Sequence, residues 1–278
     1  MNRIIVVFSL LAVLVLFPAA LAKAVGLEAF SGLSGTLDIA GGTAHIPVMK
    51  EAAKRIMQAN PEIRITVAGG GSGVGVQKAG EGLVQIGNTG RALKEGEIEK
   101  YGLVSWPFAI DGVAAVVNPA NPVSALSKEQ LGKIYSGEIA NWKDVGGADA
   151  PISLYMREDG SGTRETFETL AIAEGAATAE SNVVSSNGAM KTAVAQDENA
   201  IGYVGIGHLD GSIKALALDG MTPSQENAEN GSYKITRLLY MNTKGRPQGL
   251  AKAFIDYIYS PQGREITAKA GYIPTDGK

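Results

Sequence analysis

The sequence contains no cysteine. That removes disulfides, thiolate metal ligands, cysteine nucleophiles and any cysteine for lipid attachment. Histidine is almost as scarce, with only His45 and His208 in 278 residues. No group of His, Asp and Glu has metal-ligand spacing, so neither a metal nor a cofactor is expected. A nucleotide P-loop, Gly-x4-Gly-Lys-Ser/Thr, is missing, and the glycine run at 69–75 lacks the spacing of a dinucleotide fingerprint. Neither Ser72 nor Ser161 stands in Gly-x-Ser-x-Gly, which removes the usual esterase elbow. No catalytic residue is assigned, and the chain is not expected to be an enzyme. A formal net charge of −3 argues against a nucleic-acid partner. It leaves room for a small anion held at a locally positive site. Repeats at solenoid periods and low-complexity tracts are also missing. Trp106 and Trp142 read as packing residues. His45 reads as a solvated residue at a helix start, and His208 as a loop residue without a role.

The chain does have an N-terminal address. Met1-Asn2-Arg3 is a short positive start, and Ile4 to Phe17 is almost wholly apolar. Pro18 then interrupts, and Ala20-Leu21-Ala22 places small residues two apart. This is the pattern of a cleavable secretory signal peptide over residues 1–22. As a membrane span the apolar run falls short of the roughly 20 residues required. With no lipid-anchor cysteine, a free periplasmic protein is expected, and we expect a monomer.

From Gly35 onward, strand-like and helix-like runs alternate. Thr36–Ala40, Glu62–Val67 and Val84–Gly87 read as strands, with helices over Ala44–Gln58 and Val74–Leu83 between them. This βαβαβ order implies a parallel sheet with both faces covered. Trp106–Val117 is a long extended run able to carry the chain from one sheet to another. Tyr233–Met241 is a second such run, able to carry it back. Between them lie a helix over Lys128–Tyr135, a strand at Ile152–Met156, a helix at Arg164–Ile172, a helix near Ala189–Ala195 and a strand at Ile201–Val204. Gly220–Ser232, rich in Asn, Gly and Ser, reads as a flexible loop. Two C-terminal helices close the chain, the second capped by Ser260-Pro261.

Glycines number 36, and many sit where strands turn into helices. The most informative stretch is Arg157-Glu-Asp-Gly-Ser-Gly-Thr163. A strand turning into a helix leaves unpaired N–H groups pointing outward, and these favour an anion. Ser161 and Thr163 add hydroxyl donors, and Arg157 adds a planar fork suited to an oxyanion. Similar loops occur at Ala40-Gly-Gly-Thr-Ala44, at Ala68-Gly-Gly-Gly-Ser-Gly73 and at Asn88-Thr-Gly-Arg91. Ligands of open α/β sheets bind beyond the carboxyl ends of strands. The loops can therefore form two halves of one polar cleft.

These residues resemble the PstS family of phosphate-binding proteins, periplasmic components of bacterial ABC importers. The resemblance runs through Gly41-Gly-Thr-Ala-His-Ile-Pro47, Gly69-Gly-Gly-Ser-Gly-Val-Gly75, Asn121-Pro122, Ile134–Trp142, Arg157–Thr163, Ile201-Gly-Tyr203 and Gly271-Tyr-Ile-Pro274. It implies an α/β, two-domain type II periplasmic-binding-protein fold with two crossover strands and a ligand cleft between the domains. Domain I is expected over 34–109 and 238–278, and domain II over 110–237. The partners implied are inorganic phosphate and the permease subunits of an inner-membrane ABC transporter. Carried over by position, the phosphate contacts fall on Thr43, Ala44, Ser72, Arg157, Ser161, Gly162 and Thr163, with Gly90 on the third loop. Asp159 falls where the family has a carboxylate that orients the arginine, and Arg91 stands behind the third loop. Two positions depart from the family. Gly42 replaces a frequent second hydroxyl. Gly90 replaces an Asp or Ser, and that Asp accepts the proton phosphate retains and sulfate lacks. Receptors for sulfate, molybdate or tungstate, a phosphate-ester hydrolase, and a phosphate sensor or adhesin are the alternatives.

Overall fold

The computed structural model describes residues 26–172, 177 and 180–277. The expected signal peptide lies outside the described residues. The elements run β1 (Gly35–Gly41), α1 (Ile46–Ala59), β2 (Ile63–Gly70), α2 (Gly71–Gly80), β3 (Ile86–Thr89), α3 (Glu95–Tyr101) and β4 (Leu103–Val117). There follow β5 (Ala125–Leu126), α4 (Lys128–Ser136), β6 (Ser153–Arg157), α5 (Gly162–Phe167), β7 (Asn182–Val184), α6 (Asn187–Gln196) and β8 (Ala200–Gly205). The last elements are β9 (Lys214–Ala215), β10 (Ala217–Leu218), α7 (Gln225–Glu229), β11 (Thr236–Lys244), α8 (Gly249–Tyr259), α9 (Pro261–Lys269) and β12 (Ile273–Pro274).

Local patterns account for most of these. In α1, Val48, Met49, Ala52, Ala53 and Ile56 form one buried stripe at helical spacing. In β2, Ile63 and Ile65 are buried while Arg64 and Thr66 face out, as period two requires. Ser127 and Gln130 close a reciprocal capping box at the start of α4. Ser260 caps α9, with Pro261 in its first turn.

One strand organises the whole sheet, whose order is β2-β1-β3-β11-β4-β8-β6-β7. β1 pairs in parallel with β2 and β3. β4 then serves two sets of strands in turn. Leu103–Gly112 pairs antiparallel with β11, and Val113–Val117 pairs antiparallel with β8. Beyond β8 the sheet returns to parallel pairing, through β6 to β7. Val113 to Val117 are wholly buried, which is why this stretch reads as an unbroken apolar run.

Two local readings are corrected. Gly220–Ser232 is not an open loop: Ser224 caps α7 within it, and Gln225 ties it to the carbonyls of Ala268 and Tyr272. The helix after Arg157 begins at Gly162, and its second half, Glu168–Ile172, is wound as a π-helix.

Candidate functional site

The carboxyl ends of β1, β2, β3 and β6 converge on one small cavity of about 10 Å³. All eight expected contact residues line it: Thr43, Ala44, Ser72, Gly90, Arg157, Ser161, Gly162 and Thr163. Gly42, Gly71 and Arg237 complete the lining. That volume is far below the roughly 300–1,000 Å³ of sites for drug-sized ligands, which leaves no room for a nucleotide or sugar phosphate. The two sides of the molecule meet over the cavity. The Gly73 N–H donates to the Gly160 carbonyl at 3.0 Å, and Asn187 Nδ2 donates to Thr43 Oγ1 at 2.9 Å. Gly71 sits under Glu158 with positive φ, a backbone state that side chains resist.

The hydroxyls are set as donors. A hydroxyl has one hydrogen and two lone pairs, so an N–H bonded to its oxygen leaves the hydrogen free for another partner. Ser72 Oγ accepts from the Gly90 N–H at 3.0 Å, and Ser161 Oγ accepts from the Arg164 N–H at 3.2 Å. Thr43 Oγ1 accepts from both the backbone N–H and Nδ2 of Asn187, at 3.2 and 2.9 Å. Thr163 Oγ1 takes a longer bond from Asn187 Nδ2, at 3.4 Å. Asn187 is fully buried between the two threonines, and its Oδ1 is anchored by the Gly205 N–H. The N-termini of α2 and α5 add positive helix ends at Gly71 and Gly162.

Two arginines face this space, each held by a carboxylate. Arg157 is 1% exposed. Its Nε and Nη2 donate to Oε2 and Oε1 of Glu158 at 2.8 and 2.7 Å, while its Nη1 is buried without a hydrogen-bond partner among the described residues. The expected orienting residue, Asp159, is displaced from that role. Its side chain is 96% exposed and pairs with Arg164. Arg91 does not support the cavity either: it bonds Glu97 through two nitrogens and lies 3.2 Å from Glu165. The second arginine, Arg237 on β11, was not among the expected residues. Its Nε and Nη2 donate to Oδ2 of the wholly buried Asp111 at 3.0 and 2.7 Å. Burial pushes the Asp111 carboxyl up, against the pull of Arg237 and the Ile206 N–H. A sequence signal existed for this pair: Asp111 is the lone charge of a long apolar strand, and Arg237 is the one buried charge of another, whose Lys244 lies at the exposed end.

At both glycines that the resemblance marks as departures, a side chain would meet a neighbour already in place. A Cβ on Gly42 would stand 2.7 Å from Nδ1 of His45. A Cβ on Gly90 would stand 2.8 Å from Nη1 of Arg237. In each place another side chain, His45 of the same loop or Arg237 of β11, occupies the space a side chain at the glycine would need. His45 is therefore buried rather than solvated. Its Nε2 donates to the Tyr240 carbonyl, and burial beside Arg237 lowers its pKa to about 3. Gly90 lines the cavity, but its N–H is spent on Ser72 Oγ.

A family model described as a PBP superfamily domain matches residues 28–262. The phosphate-binding protein PstS of Bacillus subtilis is 42% identical over 249 residues, covering 88% of this chain and 83% of that protein. The chain belongs to the PstS family. Among solved structures, a Clostridium perfringens protein with bound phosphate, described as a phosphate ABC transporter substrate-binding protein, shares 37% identity with a TM-score of 0.82. The match covers 87% of this chain and all of that one. An ABC-type phosphate transport receptor from Vibrio cholerae shares 34% identity and a TM-score of 0.68, over 85% of this chain and 99% of that one. The PstS-family fold is the two-domain type II arrangement, with the cavity lying between the two sets of strands that β4 joins. Among the described residues no helix is long and apolar enough to cross a membrane.

Proposed function

We propose that this protein captures inorganic phosphate in the cleft between its halves and delivers it to an ABC permease. One observation carries the reading: a small buried cavity lined by four hydroxyls set as donors, two arginines and two helix N-termini. A multiply charged anion loses a large hydration energy on burial. Fixed donors replace that water, each charge-assisted bond contributing about 1.5–3 kcal/mol net. The donors come from both sides of the cleft, so the shell is complete only when the halves meet. We assign ligand contacts to Thr43, Ala44, Ser72, Arg157, Ser161, Gly162 and Thr163. Glu158, rather than Asp159, is the orienting carboxylate.

The division into 34–109 with 238–278 and 110–237 is supported by the change of partner on β4 between Gly112 and Val113. The role is binding rather than turnover, because the cavity lining holds no carboxylate, imidazole or thiol to act as base or nucleophile. Export to the periplasm, through a signal peptide removed after Ala22, places the protein where a permease collects its solute. Calorimetric titration of the mature chain with phosphate tests the proposal, alongside a turnover assay with a generic phosphate ester. Saturable phosphate binding without ester hydrolysis is expected. Hydrolysis at the cavity, or no phosphate binding, refutes it.

A further inference from the structure

Arg237 faces the cavity from β11, with Nε and Nη2 fixed on Asp111 and Nη1 beside Gly90. It fills the space where a carboxylate at position 90 would project. The lining offers no unpaired carboxylate: its side-chain acceptors are hydroxyl oxygens, of which Ser72, Ser161 and Thr163 each already take one N–H. The nearby carboxylates are engaged by their own arginines: Glu158 by Arg157 through both oxygens, and Asp111 by Arg237, with its second oxygen on the Ile206 N–H. At the third loop a ligand O–H would therefore meet the Arg237 guanidinium where a carboxylate would accept it, with only neutral hydroxyl oxygens as alternatives, and an ill-met buried donor is costly.

We infer that Arg237 is a specificity-determining residue, which makes the cavity select its anion by full ionisation and not by accepting a retained proton. This rests on the proposed phosphate site and refines its ligand class to tetrahedral dianions. The rule carries two consequences. Phosphate is bound in its more ionised form, so its apparent affinity follows the fraction ionised. Sulfate, which has the same shape and charge and no proton to place, competes.

The groups around Arg237 do not obscure such a pH dependence. His45 and His208 are held neutral, at about 3 and about 4, mainly by burial. Tyr233 and Tyr272, which face Asp111, are held protonated above the ordinary phenol range by burial. None of these changes charge between about pH 6 and 8.5, so a slope in that window belongs to the ligand.

The test is calorimetry on the mature chain with phosphate and, separately, sulfate, from about pH 5.5 to 8.5. Phosphate affinity is expected to fall about tenfold per pH unit below the second ionisation of phosphate and to level above it. Sulfate affinity is expected to stay flat with pH and to lie within about tenfold of phosphate at the alkaline end. Arg237→Gln should weaken both anions tenfold or more. If that variant fails to fold because Asp111 is stranded, the double variant Asp111→Asn/Arg237→Gln serves instead. Phosphate affinity independent of pH, or sulfate failing to compete at a thousandfold excess, overturns the selection rule and leaves phosphate capture standing. Absence of phosphate binding at about pH 8 overturns both.

Discussion

Replacing Arg157 by alanine removes the cation on which the binding assignment most depends. In the wild type, Nε and Nη2 are committed to Glu158, so Nη1 is the nitrogen left for a ligand. One charge-assisted bond contributes about 1.5–3 kcal/mol. That converts to a loss of roughly tenfold to 150-fold in affinity at about 1.4 kcal/mol per factor of ten. The lower end is a floor, because the variant also leaves Glu158, a carboxylate, beside the anion with its partner gone. Arg157→Lys separates charge from geometry. Lysine retains the charge but cannot bond both oxygens of Glu158 while directing a third donor inward. It should recover only part of the loss. Calorimetric titration with phosphate at fixed pH and salt reads both variants, and thermal melts without phosphate report any loss of folding. A folded Arg157→Ala protein that binds phosphate within about twofold of wild type would remove Arg157 from the site and refute the donor-shell reasoning.

Gly162→Ala would set a Cβ 2.4 Å from Ser72 Oγ and 3.1 Å from the Gly90 carbonyl carbon. It should hold the halves apart and weaken phosphate binding tenfold or more, with small-angle scattering showing no compaction on phosphate addition. Thr43→Val deletes one donor and takes the acceptor from Asn187, so affinity should fall about tenfold and stability by about 1–3 kcal/mol in urea melts. Asp159→Ala should leave phosphate affinity within about twofold, because its pair with Arg164 is on the surface, where such pairs contribute about 0–1 kcal/mol. Acid should destabilise the fold through His45 and His208. Both folded pKa values lie below the unfolded 6.5, at about 3 and about 4, so the unfolded chain binds more protons and stability falls as pH drops. Each histidine contributes up to about 1.4 kcal/mol per pH unit lost below 6.5. Urea midpoints at about pH 7, 5.5 and 4.5 check the slope, and a flat profile would contradict the burial of both rings.

What was legible in the sequence is what is encoded locally. Thr43, Ser72, Ser161 and Thr163 each sit within a few residues of a strand end and a helix start. Glycines and hydroxyls at that spacing imply outward N–H groups whatever the tertiary arrangement. The same holds for Arg157 at the end of β6. Its orienting carboxylate was misplaced by one residue because side-chain direction at the end of a strand alternates. Asp159 was carried over by position from the family resemblance, whereas in the fold the adjacent Glu158 takes both Arg157 bonds and Asp159 turns outward to Arg164. Arg237 and Asn187 were missed for another reason. Arg237 reaches Gly90 only because β11 pairs antiparallel with β3 and β4, with Tyr240 opposite Thr89. Asn187 meets Thr43 only when the two sides of the cleft join.

The two glycines that break the family pattern join these scales. Gly42 and Gly90 each look like a lost ligand contact when the loop is read by itself. In the fold each is the space that admits another side chain, His45 of the same loop at Gly42 and the distant Arg237 at Gly90. The substitutions therefore come in couples, and neither member can be judged alone. Restoring a carboxylate at position 90 would not restore proton recognition while Arg237 remains, because its first atom would already collide with the guanidinium. Removing Arg237 without supplying an acceptor would strand Asp111 in the core and leave the anion with one cation fewer. Only exchanging the couple, Gly90→Asp with Arg237→Ala, together with Asp111→Asn as a third change to relieve the buried charge, would convert selection by charge into selection by a retained proton.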